Sequence, residues 1–290
     1  MKVLILKTGH SETLDREISK RPSLGDILRS TVILPLFYHQ HVTWVTDQSA
    51  VPLVNGLVDR VLVWDFETAL QLLFEKYDMI INLEKSPAAC ALTSKMDSWQ
   101  KFGFRFDDLA GEARPFRESL EAWGDCIEPV EKTHRIPWQA TLYQMLGAEW
   151  TGQKYQLAMK PQREMIRGQI GFNHRVGSKF PGKEWPYFGN LDFDNGYRIS
   201  WQEGENLQDY LNWLNSCEVI VTNDSLGLHL AIALERKFVA LFGPTNADEV
   251  FDYGLGKKII SKDGKMTSIS IESVRKEVEK LLNGRRDRVY

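Results

Sequence analysis

Cysteine is scarce. The chain has three in 290 residues, Cys90, Cys126 and Cys217, far apart and without a CxxC pair. That excludes a disulfide framework and a thiolate zinc site, and it favours reduced thiols. Long apolar runs are also missing: none approaches the roughly 18 residues that a membrane-crossing helix needs. The opening "MKVLILKTGH" is too short for the apolar core of a secretory signal, and no small-residue cleavage site follows it. The expected location is therefore the cytoplasm, with peripheral contact to the inner face of the membrane left open. A basic excess is lacking as well, with 36 Lys and Arg against 39 Asp and Glu and a formal net charge of −3. General nucleic-acid binding is excluded on that ground. No His, Cys or carboxylate group has metal-ligand spacing. The "DFD" of Asp192 to Asp194 runs into the turn signal "NGY" and reads as loop. Neither a metal nor a cofactor is expected. Low-complexity tracts and short-period repeats are absent too.

What remains is the profile of a globular protein with ample core, 43% hydrophobic and 26% charged. Its length suits one large or two ordinary domains. Apolar, β-branched runs at Lys2 to Lys7, His41 to Thr46, Asp59 to Trp64 and Asp78 to Glu84 read as strands. Helical patterns fall between them, one of them from Leu24 to Phe37 and another at "ETALQLLFEKY". Lys101 to Thr151 reads as loop-rich, with helices near Pro115 to Trp123 and Trp138 to Leu146. The polar "GQKYQLAMKPQRE" places a boundary near Lys160, giving domains at residues 1–160 and 161–290. The second half restarts the alternation with "IRGQIGFN", a short helix from "KEWPYF", "YRISW", "NLQDYLNWLNS", "EVIVT", "LGLHLAIAL", "KFVALF" and a final helix over "SIESVRKEVEKLLNG". Strands alternating with helices imply βαβ units and parallel sheets. The expectation is an α/β protein of two Rossmann-like halves facing a central cleft, with ligands at the carboxyl ends of the strands.

Three stretches carry candidate chemistry. In "VTNDSLGLHLAIAL" a polar turn separates a strand from a helix. The first N–H groups of that helix lack partners and its dipole is positive there, so Asp224, Ser225, Leu226 and Gly227 form a candidate phosphate site. Simple helix capping by Asp224 or Ser225 explains the same residues. His229 lies one turn on, and alone it reads as a packed core histidine. In "SKFPGKEWP", Lys183 follows a Gly and Pro turn and could reach a phosphate as a point charge, or simply be solvated. In "SLGD", Ser23 and Asp26 fit a capping box. Equally, the Asp26 carboxylate at a helix start would stay ionised and could accept a proton.

Together these stretches resemble glycosyltransferase family 9, the heptosyltransferases. "VTNDSLGLHLAIAL" with "KFVALFGPT" looks like that family's most recognisable segment. "GKEWP", "SLGDILRSTVILPLF" and "DMIINLEKSPAACAL" are similar to further family motifs in the same order. The resemblance implies a GT-B fold, an N-terminal acceptor domain and a C-terminal nucleotide-sugar domain. It implies an inverting, metal-independent transfer of heptose from ADP-heptose to a lipopolysaccharide core or other surface glycan. Asp26 would be the general base, and Ser178, Lys183 and the turn from Asp224 to Gly227 would hold the diphosphate, with His229 beside them. Three departures from the family pattern stand out: Thr8 to Pro22 intervene after the first strand, the interval from Lys183 to Asp224 is short, and Leu226 precedes Gly227. The insert reads as a mobile surface loop bearing Glu12, which with Ser23 is a candidate on the acceptor side. A nucleotide-sugar 2-epimerase-like enzyme and a non-catalytic nucleotide- or glycan-binding scaffold are the competing readings.

Overall fold

The computed structural model describes residues 1–10, 21–119, 136–177, 180–193 and 196–283. Glu12, Cys126, Ser178, Asp194 and the basic tail after residue 283 lie outside the described residues. The chain divides into two compact units, Met1–Ala158 and Met159–Tyr290.

The first unit runs β1 (Lys2–Leu6), α1 (Leu24–Ser30), β2 (His41–Thr46), α2 (Val51–Val54), β3 (Arg60–Val63), α3 (Phe66–Leu72), β4 (Met79–Asn82), α4 (Pro87–Lys95), β5 (Gln100–Asp107), β6 (Glu112–Pro115) and α5 (Trp138–Met145). Its six strands lie in the order β3-β2-β1-β4-β5-β6. All pair in parallel except β6, which returns antiparallel along β5. Val3 to Leu6 of β1 are fully buried, as expected of a central parallel strand covered on both faces. The helical pattern expected from Leu24 to Phe37 splits into α1 and a 3₁₀ segment, Thr31–Phe37, that contains Pro35. A proline there has no N–H to give to the Thr31 carbonyl and its ring crowds that carbonyl, so the α-helical ladder stops before it.

Two expectations in this unit are corrected. Of the helix expected near Pro115 to Trp123, the described part is not helical: Pro115 ends β6 and a single 3₁₀ turn, Arg117–Ser119, follows, while residues 120–123 lie outside the described residues. The stretch from Lys101 also contains β5. Phe102, Phe104 and Phe106 alternate there with Gly103, Arg105 and Asp107, the two-residue period of a strand.

The second unit runs β7 (Ile166–Asn173), β8 (Arg198–Trp201), α6 (Leu207–Ser216), β9 (Cys217–Asn223), α7 (Leu226–Ala233), β10 (Lys237–Phe242), β11 (Gly256–Ile260) and α8 (Ile271–Asn283). Its five strands pair in parallel in the order β11-β10-β9-β7-β8. Every residue of β9 is buried. Val274, Val278 and Leu282, four apart on one face of α8, pack with Ile170, Phe172, Val219 and Val239 of the sheet. Each such side chain contributes about 1.5–3 kcal/mol on leaving water. The expected helix over "KEWPYF" is replaced by two 3₁₀ turns, Pro181–Lys183 and Phe188–Asn190. Pro186 lies between them and cannot donate to a continuous helix. Among the described residues no helix is long and apolar enough to cross a membrane.

Candidate functional site

In each unit the strand order reverses once, and at such a reversal two adjacent crossover connections leave in opposite directions and open a crevice at the carboxyl ends. In the second unit the reversal falls between β7 and β9. The residues ending those strands are Asn173 and Asn223, both fully buried. Asn173 Nδ2 donates to Thr222 Oγ1 at 2.7 Å and to Ser225 Oγ at 3.0 Å, while Tyr210 donates its hydroxyl to Asn173 Oδ1 at 2.6 Å. Asn223 Oδ1 accepts the Trp185 N–H at 3.0 Å, and its Nδ2 donates to the His174 carbonyl at 2.9 Å. The loop that carries Lys183 is thereby tied to the end of β9. Trp185 is itself locked by burial and by an Nε1 bond to the Ile269 carbonyl.

These ties bring Lys183 Nζ to 2.8 Å from Asp224 Oδ2, with both side chains largely but not wholly covered. Lys183 also lies over the Phe180 ring, 4.8 Å from its centre. Burial alone would push the Asp224 carboxyl up, but the Lys183 ammonium, His229 and the Thr245 hydroxyl together hold it below its ordinary value of 3.8. Asp224 is therefore an ionised anchor for Lys183. Ser225 occupies the N-cap of α7 in an extended conformation, yet its side chain makes no capping bond. The capping explanation of this turn is not realised, and the Ser225 oxygen is occupied by Asn173 instead.

The remaining sequence candidates of this turn fall on two sides. Leu226 is half-buried at the start of α7, next to Ser225, whereas Gly227 and His229 face inward and are buried. The close approach that Gly227 permits is made from within: an added Cβ would stand 2.2 Å from Asn173 Nδ2 and 2.4 Å from the Tyr210 hydroxyl. Gly227→Ala is expected to destabilise the protein by about 1–3 kcal/mol, the cost of overpacking a filled site. A denaturant melt measures it, and an unchanged midpoint would show that Asn173 has room to move. Of the acidic pair in "DFD", Asp192 is engaged by Arg275 at 2.5 Å.

In the first unit the reversal falls between β1 and β4. Asp26 sits in the first turn of α1, half-buried, with Arg29 Nε 3.0 Å from its Oδ1. The Arg29 guanidinium lies 4.7 Å from the centre of the Trp138 ring. Ser23 is at the N-cap, but its side chain makes no capping bond. Asp26 is thus held by Arg29, and the capping box is not formed. In the same unit His10 Nε2 is 3.0 Å from Asp47 Oδ2. Thr8 and Gly9 contradict the reading of Thr8 to Pro22 as surface loop throughout. Both are buried, because their N–H groups bind the Glu84 carboxylate.

Residues 205–279, which span α6 to most of α8, match the family described as glycosyltransferase family 9 (heptosyltransferase). Over the whole chain the fold is similar to that of E. coli ADP-heptose lps heptosyltransferase II. The two share 16% identity at a TM-score of 0.68, over 99% of this chain and 100% of that one. It is similar also to E. coli heptosyltransferase WaaC with ADP, with 17% identity and a TM-score of 0.64 over 97% of this chain and 100% of that one. The chain is glycosyltransferase family 9-like, with a GT-B fold. A family 9 protein from Veillonella parvula is similar at 18% identity and a TM-score of 0.62, covering 98% of this chain and 97% of that one. No curated protein matches the chain in sequence.

Within this family 9-like chain, sequence reasoning missed Asn173, Tyr210, Thr245, Arg29 and Glu84. Asn173 and Glu84 carried a usable signal, since each is a polar residue at the carboxyl end of an apolar run. Arg29 and Tyr210 carried none, because nothing local marks which face of a helix meets a site.

Proposed function

We propose that the chain is an inverting, metal-independent glycosyltransferase. It moves a sugar from a nucleoside-diphosphate donor held by residues 159–290 to a hydroxyl of a glycan acceptor held by residues 1–158. The observation that carries this reading is the Lys183–Asp224 pair beside the α7 N-terminus, at the carboxyl-end reversal of a parallel sheet. A fixed ammonium and the positive end of a helix suit the diphosphate, whose charge grows as it departs. A carboxylate would repel a phosphate, so Asp224 acts by positioning Lys183. Ser225 and the backbone N–H groups at Leu226 and Gly227 supply the donors. Gly227 and His229 support the turn from within, and Ser178 is retained as a donor-site candidate on the family resemblance.

Asp26 is the base. It takes the acceptor hydroxyl's proton as that oxygen attacks the anomeric carbon, the bond to the diphosphate breaks, and the electron pair leaves on the phosphate oxygen. A single displacement inverts the anomeric configuration. Ser23 and Glu12 remain candidates on the acceptor side. The likeness to E. coli heptosyltransferase WaaC, seen with ADP and with ADP-2-deoxy-2-fluoro heptose, and to E. coli ADP-heptose lps heptosyltransferase II favours ADP-heptose as donor and lipopolysaccharide core as acceptor.

A thermal-shift screen tests the donor directly, since a ligand that binds only the folded state raises the midpoint with occupancy. ADP is expected to raise it more than UDP, GDP or CDP, in EDTA as well as in magnesium. A shift confined to another nucleotide would replace the donor, and transfer abolished by EDTA would overturn the metal-free chemistry.

A further inference from the structure

We propose that Glu84 is a positioning residue for Asp26, fixing the start of α1 through the loop that leaves β1. The inference rests on the reading of Asp26 as the base. Glu84 is fully buried at the end of β4, so it touches no substrate. Its Oε1 accepts the N–H groups of Thr8 at 2.6 Å and Gly9 at 2.8 Å, and Lys7 Nζ stands 3.8 Å away. The Glu84 backbone is held from behind. The Glu84 N–H donates to Asn82 Oδ1 at 3.0 Å, and Asn82 Nδ2 donates to the Phe104 carbonyl at 2.7 Å. The Cys90 thiol donates to the Glu84 carbonyl at 3.2 Å.

The chain of contacts continues forward. The Gly9 carbonyl accepts the Ser23 N–H at 2.8 Å, and the Ser23 carbonyl accepts the Ile27 N–H at 3.3 Å, opening the helix that bears Asp26. Gly9 sits at a φ of +77°, and a Cβ there would stand 2.8 Å from the Ser23 nitrogen and 2.9 Å from its oxygen. Only glycine permits both the left-handed backbone and the approach. A buried carboxylate is costly to desolvate, and an apolar residue would fill the same space at less cost. An apolar residue would, however, leave the Thr8 and Gly9 N–H groups unpaired and the helix start free to drift. A displacement of about 1 Å at a reacting group costs on the order of 10²-fold in rate.

The test is a double-mutant cycle read as single-turnover transfer from ADP-heptose to heptose-deficient lipopolysaccharide. Asp26→Asn, Glu84→Ala and the pair are compared, with the folded fraction measured on each sample. Glu84→Ala is expected to slow transfer by roughly 10–100-fold with ADP affinity unchanged, and to add no further loss in the Asp26→Asn background. Multiplicative losses, or an unchanged rate for Glu84→Ala beside a crippled Asp26→Asn, would overturn the positioning role and leave the base assignment standing. An unchanged rate for Asp26→Asn would overturn the base assignment and this inference with it. Should Glu84→Ala not fold, Glu84→Gln and Glu84→Asp decide. Glutamine keeps the acceptor oxygen and is expected to stay near wild-type rate, whereas aspartate withdraws it by one methylene and is expected to be slow. The reverse order would refute the proposal.

Discussion

Asp26→Asn is expected to lower single-turnover transfer by roughly 10²–10⁴-fold, the usual scale for loss of a general base. The substitution keeps size and hydrogen-bonding ability and removes only the basic carboxylate. Donor affinity is expected to hold, because Lys183 and Ser225 belong to the other unit. Two structural facts shape the control. Ser23 makes no capping bond, so loss of a capping box does not arise. Arg29 does contact Asp26, and its guanidinium is mostly buried against Trp138, so the asparagine variant loses the ionic partner of a covered cation. A fall in the melting midpoint is therefore expected alongside the rate loss, and rate per folded molecule is the deciding number. A destabilised variant with full rate per folded molecule would reduce Asp26 to the partner of Arg29.

Lys183→Ala is expected to weaken ADP binding by roughly 10–100-fold, corresponding to the 1.5–3 kcal/mol of a hydrogen bond to a charged group. Removing the lysine takes away the largest influence that holds the Asp224 carboxyl below its ordinary value and leaves that poorly solvated group without its partner beside the proposed diphosphate site, so a cost at Asp224 adds to the lost attraction. That makes a second variant informative. Lys183→Ala with Asp224→Asn is expected to recover stability, since the uncompensated carboxylate is gone, and to recover only part of the affinity. Isothermal titration with ADP and a melt on the same samples separate the effects, and added magnesium is expected to restore nothing. If the double variant bound ADP as tightly as the wild type, Lys183 would serve only to neutralise Asp224.

The sequence by itself determined the architecture. Apolar runs such as "KVLIL", "HVTWVT" and "KFVALF" are short, β-branched and interrupted by helical patterns, and burial on both faces of a parallel sheet is what such runs require. It also marked the turn after β9, because four hydrogen-bonding side chains between two buried runs need partners. It failed where local pattern and long-range pairing compete. β6, Glu112–Pro115, follows β5 through a short return and is stabilised by its partner strand, so a stretch of four residues read as loop is a strand in the fold.

The contacts of the candidate site residues were decided only by the tertiary structure. Lys183 and Asp224 are 41 positions apart and Glu84 and Gly9 are 75 apart. Contacts of that separation leave no periodic trace in the chain. Sequence could offer capping as the bland account of Ser23 and Ser225, because a cap is a local bond. It could not show that Asn173 takes the Ser225 oxygen, that Arg29 takes Asp26, or that the space above Gly227 is filled from within. Those outcomes depend on which strand ends the sheet brings side by side, and sheet order is set by the packing of the whole unit.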